Sequence, residues 1–353
     1  MAVLNIVKKY VRMARKKNSD LIDDIGCHPF RHLKAMHMLE TDIHPVYTRL
    51  PRPLIGYNYR SVCKCHIKIK MMDLERIIAS TRRYNLHSHT EYCDGRNTME
   101  EMARGALEAG MAYYGFTPHS PISVESKCNM YAAKVDEYIM HSREIASRYA
   151  PRCAFLTGME IDYLGSEWGP HLDYFQRMDL DYRIGSVHFV PTREGIPIDC
   201  DGSFERFAPN LDRMFRGDIR YVVEKYFEQV ITMTERGGFD ILGHLDKIAG
   251  NASQAAPGIE DEPWYEGLID HALSTASSAG VIVEINTKAL ATKSRFFPAA
   301  RWIDKVMATG LPVAVNSDAH YVDKIDAGRR EAFELLDSYS SAGSDSALRG
   351  SVR

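Results

Sequence analysis

The stretch NLHSHTEYCDG, residues 85–95, sets two histidines, a cysteine and an aspartate at the end of a run, YNLHSHT, that reads as a strand. Side chains at i and i+2 of a strand share a face, so His87 and His89 point the same way. One His-x-His pair is a weak signal. Its meaning depends on whether the rest of the chain supplies matching groups in matching places.

From residue 83 onward one pattern repeats: a short apolar run, polar residues at its C-terminal end, a loop, an amphipathic helix, a glycine, and another apolar run. The strand candidates are YNLHSHT (84–90), YYGFTPHS (113–120), AFLTGMEIDYL (154–164), YRIGSVHFV (182–190), FDILGHLD (239–246), VIVEINTKAL (281–290) and LPVAVNSDAH (311–320). The intervening helices carry start and stop signals. Thr98 with Glu101 fits a capping box, Asp218 fits an N-cap, Pro263 and Pro298 suit a first helical position, and Gly110, Gly280 and Gly310 suit helix ends. Strand, helix and strand again imply parallel pairing. Seven such units predict an α/β fold, a seven-stranded β/α barrel of the TIM-like kind over 83–340. In such barrels the active site is built at the C-terminal strand ends.

Those ends carry His87, His89 and nearby Asp94, then His119, Glu160, His188, His244, and Asp318 with His320. The opposite ends hold nothing comparable. A catalytic zinc takes three protein ligands and a water, so nine imidazole and carboxylate groups exceed the needs of one ion. Two or three ions sharing carboxylates would use them all. His141, His171 and His271 lie away from the strand ends and are read as ordinary polar residues.

Composition narrows the class. The chain of 353 residues is 45% hydrophobic and 26% charged, ordinary for a folded protein. No apolar run is long enough to span a bilayer, and MAVLNIVKKYVRMARKK lacks the apolar region of a secretory signal. Seven cysteines without repeated spacing do not form a disulfide framework. A cytoplasmic protein with no membrane partner is expected. Residues 1–70 carry 14 Lys and Arg against 5 Asp and Glu, which leaves 30 against 42 in the remainder. An acidic body argues against a nucleic-acid partner, which needs clustered Lys and Arg. The basic arm 1–70 lacks sustained periodicity and is expected to be unstructured. Cys63, Cys65 and His66 within it are a candidate metal site. The charge change at Met71 and Met72 also suggests that the native product starts there, which intact-mass measurement decides. Residues 341–353 read as a disordered tail.

The chain from about 83 to 338 resembles the PHP (polymerase and histidinol phosphatase) superfamily, and the runs SVHF, GHLDKI, EINT and NSDAH look like its histidinol-phosphatase branch. The resemblance implies a distorted seven-stranded barrel with a trinuclear site. By motif position, one ion would take His87, His89, Glu160 and Asp318, a second Glu160, His188 and His244, and a third Asp94, His119 and His320. Two departures stand out. Asn316 replaces a glycine that usually opens the last motif, and TKALATKSRFF lacks an arginine expected soon after EINT.

The chemistry implied is hydrolysis of a small phosphate monoester, with L-histidinol phosphate as the expected substrate in histidine biosynthesis. Clustered ions would convert a water to hydroxide near neutral pH and neutralise phosphoryl oxygens. Mixed His and carboxylate donors suit Zn, Mn or Fe better than Ca or Mg. Cations for the substrate phosphate are sought on post-strand loops: Arg295, Lys288, Lys247, Arg193 and Lys127. Asp162, Asp199 and Asp246 are candidates for the substrate's amine and imidazole. A phosphodiesterase or exonuclease of the same superfamily is the main rival. An amidohydrolase would use eight strands and a lone final aspartate, and a non-catalytic metal-binding domain would tolerate losses from the nine.

Overall fold

The computed structural model describes residues 73–350, with side chains as far as Tyr339. The basic arm and its Cys63, Cys65 and His66 lie outside the described residues.

All seven predicted apolar runs contain parallel strands. They are β1 (Tyr84–Asn85), β2 (Tyr113–Phe116), β3 (Ala154–Thr157) with β4 (Glu160–Asp162), β5 (Ile184–Ser186), β8 (Ile241–Leu242), β9 (Ile282–Asn286) and β10 (Val313–Asn316). The third run is split at Gly158 and Met159. An antiparallel hairpin, β6 (Phe189–Pro191) with β7 (Pro197–Asp199), follows β5 and was not anticipated.

A closed seven-stranded barrel is not what the hydrogen bonding shows. The parallel strands fall into a three-stranded sheet, β1-β2-β3, and a five-stranded sheet, β10-β9-β8-β5-β4. In the backbone their edges are joined by isolated bridges, Ser88 to Ala319 on one side and His119 to Glu160 on the other. The cause is local: β1 and β8 are two residues long, and the third run breaks at Gly158. Both bridges sit beside the polar strand ends, so the backbone is drawn together where the side chains must converge.

Beneath that end the interior is filled by aromatic rings. Tyr182 is fully buried and donates to the Leu86 carbonyl at 2.7 Å. A Cβ on Gly115 would lie 1.8 Å from the Tyr182 hydroxyl, so β2 needs glycine there. Tyr138 donates to the carbonyls of Phe116 and Gly158, tying its helix to β2 and the break after β3. Each fully buried side chain of this size contributes about 1.5–3 kcal/mol.

The helix signals mostly hold. Thr98 and Glu101 form a reciprocal capping box at the start of helix Met99–Glu108, and Asp218 caps Ile219–Arg236 by accepting from the Tyr221 amide. Val222, Val223, Tyr226, Phe227, Val230 and Ile231 are buried as the periodicity requires. Pro263 opens Pro263–Ala279, which ends at Gly280 with φ 68°. Pro298 does not open a helix. A 3₁₀ turn at Ala300–Trp302 leads into Ile303–Ala308 instead.

The expected tail also differs. Helix Arg329–Gly350 runs through most of it, because extending an existing helix costs far less than nucleating one. No helix among the described residues is long and apolar enough to cross a membrane.

Candidate metal centre

The structure brings all nine predicted groups together. His87, His89 and His244 are fully buried, Glu160, Asp318, His188 and His119 are buried, and Asp94 and His320 are half-buried at the mouth. Glu160 is the hub. Its Oε2 lies 3.0 Å from His119 Nδ1, 3.2 Å from His87 Nε2 and 3.5 Å from His89 Nε2. Its Oε1 lies 2.9 Å from His244 Nε2 and 3.5 Å from His188 Nε2. Asp318 Oδ1 is 3.0 Å from His89 Nε2, and Asp94 Oδ1 is 3.2 Å from His320 Nε2.

Three sets present ligand atoms within 4.8 Å of one another: His87, His89 and Asp318; His119, Glu160 and His188; and His89, Asp94, His119 and His320. The first and third correspond to two of the expected ion sites. In the second His119 takes the place expected for His244, which still reaches Glu160 and lies 3.1 Å from His188 Nε2.

The residues fit divalent cations. Buried polar atoms are normally hydrogen-bonded, yet His87 Nε2, His89 Nε2, His119 Nδ1, Glu160 Oε2 and Asp94 Oδ1 have no hydrogen-bond partner and face one another. A cation is the partner that satisfies several inward-pointing lone pairs at once. Backbone strain points to the same place. His244 and Asp318 adopt φ of 22° and 49°, uncommon for residues other than glycine. With mixed imidazole and carboxylate donors, the centre can hold several divalent ions.

Behind the nine lies a set of orienting groups that the strand-end reading did not assign. Glu284 on β9 accepts from His87 Nδ1 at 2.8 Å, the Asn316 side-chain amide at 2.9 Å, the His244 backbone amide at 2.9 Å and Asn286 at 3.2 Å. Asp162 accepts from His188 Nδ1 at 2.6 Å. Fixing Nδ1–H on His87 and His188 leaves each Nε2 lone pair directed inward. Asn316, the departure from glycine, is thereby explained, because it also accepts from the Leu86 amide at 2.8 Å and links β10 to β1. Glu284 had a signal in the sequence: a carboxylate in the middle of VIVEIN is a buried charge that requires partners.

Charge is strongly coupled here. Burial pulls His119 down, but Glu160 and Asp94 outweigh it and lift it to about 9. His87 is likewise raised, burial being outweighed by Glu284, Glu160 and Asp318. Burial followed by Lys247 lowers His244 to about 4. Metal ligation needs neutral imidazole, so ions must displace protons from His119 and His87. Binding of Zn or Mn at pH 7 is therefore expected to release protons and to tighten as pH rises toward 9. Titration calorimetry in buffers of different ionisation enthalpy measures this, and buffer-independent heats would contradict it.

Of the five named cations the structure brings two to the centre. The Lys247 side chain is 9% exposed, with Nζ 3.2 Å from Asp201 and 3.7 Å from Asp318. Burial opposes its charge, but Asp201, Asp318 and Glu160 hold its pKa above the ordinary value. Lys288 Nζ is 3.3 Å from Asp318 and 3.2 Å from His320 Nε2. Arg295 is instead bound through two nitrogens to Glu260, and Arg193 pairs with Asp218 and lies over the Tyr221 ring. Lys127 lines a cleft of about 740 Å³ with Tyr92, Cys93, Tyr131 and Glu137. Of the carboxylates named for an amine, Asp162 is engaged by His188, and Asp246 by the Ala299 amide and Arg295.

Known proteins resemble this chain in sequence and fold. A curated relative from Schizosaccharomyces pombe, named "Probable histidinol-phosphatase", is 26% identical over 268 residues, covering 71% of this chain and 85% of the relative. One of the same name from Deinococcus radiodurans is 26% identical over 246 residues, covering 66% and 85%. The hisK protein of Listeria monocytogenes has the same fold, with TM-score 0.63 at 21% identity, covering 70% of this chain and 99% of that one. So does the histidinol phosphate phosphatase of Lactococcus lactis, solved with zinc, L-histidinol and phosphate, with TM-score 0.58 at 16% identity, covering 73% and 94%. The PHP domain family model matches residues 85–288, more than half of the chain, and takes in seven of the nine converging groups. The chain belongs to the PHP domain family.

Proposed function

We propose that the chain is a metal-dependent phosphomonoesterase that hydrolyses L-histidinol phosphate to L-histidinol and phosphate. The observation that carries this is the convergence of nine imidazole and carboxylate groups, with unpartnered atoms facing inward, beside two lysines. Divalent ions, when bound, supply an activated water and neutralise phosphoryl charge. His87, His89, Glu160 and Asp318 would hold one ion, Glu160, His188 and His244 a second, and Asp94, His119 and His320 a third. Glu284 and Asp162 keep His87 and His188 in the ligating tautomer. Lys247 and Lys288, both within 4 Å of Asp318, would receive phosphoryl oxygens as fixed positive charges. The names of the relatives and the ligands of the Lactococcus lactis protein support the substrate assignment.

The test is phosphate release from L-histidinol phosphate. Treatment with a chelator is expected to remove activity, and Mn, Zn or Fe to restore it. Chelator-insensitive turnover, or hydrolysis of oligonucleotides in preference to small monoesters, overturns the reading.

We also read the two sheets as one distorted barrel, supported by the bridges at Ser88–Ala319 and His119–Glu160 and by likeness to the two solved phosphatases. A cytoplasmic location is consistent with the four described cysteines, Cys93, Cys128, Cys153 and Cys200, all being free.

A further inference from the structure

The anion end of a phosphate ester is provided for by cations, which leaves the question of what recognises the alcohol end. Most carboxylates around the centre are already engaged. Asp94, Glu160 and Asp318 belong to the cluster, and Glu284 and Asp162 orient His87 and His188. Asp246 holds the Ala299 amide and faces Arg295, and Asp201 holds Lys247. Asp199 differs. One of its oxygens accepts from the Asp201 amide at 2.9 Å, while the other has Arg206 3.9 Å away on a largely exposed side chain.

Its position follows from the hairpin. The register of β6 and β7 sets Asp199 opposite Phe189, and the next pair is closed by the Cys200 amide donating to the His188 carbonyl at 2.9 Å. Asp199 is thus fixed one residue from a group of the metal centre. Asp199 ends β7 at the base of the hairpin, opposite the first residue of β6, and Asp201, whose amide donates to it, reaches Lys247 at 3.2 Å, so the hairpin base lies beside the centre.

We propose that Asp199 determines specificity by receiving the ammonium group of the leaving alcohol, while Lys247 and Lys288 hold the phosphoryl group. This deepens the phosphomonoesterase reading and rests on it. The site then offers both polarities: cations beside Asp318 and a carboxylate at the base of the hairpin. A zwitterionic ester of matching length is aligned by both, and a neutral alcohol by only one.

The experiment compares kcat/KM for L-histidinol phosphate with that for its N-acetyl derivative, which lacks the ammonium, in wild type, Asp199→Asn and Asp199→Glu. The wild-type preference for the free amine is expected to fall about 10- to 100-fold in Asp199→Asn, mainly through KM, as the charge-assisted hydrogen bond is lost. Asp199→Glu is expected to retain most of it. A wild type without preference, or a preference that Asp199→Asn leaves unmoved, overturns the role of Asp199 while the phosphatase reading stands. A wild type that cleaves p-nitrophenyl phosphate but not histidinol phosphate overturns the substrate reading instead. Asp199 is then judged by inhibition of that turnover: O-phosphoethanolamine must bind more tightly than ethyl phosphate, and Asp199→Asn must abolish the difference, failing which the proposal falls.

Discussion

Glu160→Ala is expected to reduce phosphate release on the order of 10³-fold or more, because the interactions lost are those that hold and neutralise the reacting phosphoryl group. No other group in the centre has comparable reach: its two oxygens lie within 3.5 Å of five histidines, His87, His89, His119, His188 and His244. The carboxyl is held well below its ordinary range, since burial is outweighed by His87, His119 and His188, so it is an anion at every working pH. Its removal withdraws the negative charge that offsets several imidazoles sharing cations. The variant should lose at least one ion per chain by elemental analysis, and excess Mn or Zn should not restore turnover, because the carboxylate that would serve two of the ion sites is gone. His271→Ala is the control. His271 is exposed on helix Pro263–Ala279, and turnover should stay within about twofold. Comparable activity in the two variants would refute the assignment of the centre.

How far such a centre can be read in a sequence depends on what each residue's position encodes. His87 with His89, and Asp318 with His320, were legible because the strand period of two places alternate residues on one face, and because a run of apolar residues locates the strand. Glu160 was legible for the same reason, at the polar end of the third run. What alternation does not encode is which strands pair across the two sheet edges. The single bridges at Ser88 and His119 depend on how short strands bend to bring their ends together, a tertiary outcome. The hairpin of β6 and β7 was missed because its strands are three residues each and follow β5 with almost no break. Cations were the least legible. Lysines and arginines on loops look alike in sequence, and only packing separates Lys247 and Lys288, drawn toward Asp318, from Arg295 and Arg193, drawn toward Glu260 and Asp218.

Glu284→Gln should lower metal affinity about 10- to 100-fold, the usual consequence of disturbing a group that orients a metal-binding histidine. The side chain is fully buried and accepts from four donors: His87 Nδ1, the His244 amide, Asn286 and Asn316. Glutamine keeps the shape but offers one acceptor oxygen and turns an NH₂ toward donors, so up to two of the four are left unpaired. Each buried donor without a partner costs roughly 1–3 kcal/mol, and the melting temperature should fall accordingly. Without the carboxylate, His87 is no longer held with its proton on Nδ1, and its Nε2 lone pair is lost to the centre for part of the time. Metal titration separates this from the loss of a ligand. High Mn or Zn should recover much of the turnover in Glu284→Gln and none in Glu160→Ala, because the first variant retains all nine inward groups with one poorly oriented and the second lacks the group they share. Equal failure of rescue in both would mean that Glu284 is itself bound to an ion, and would move it from the orienting shell into the centre.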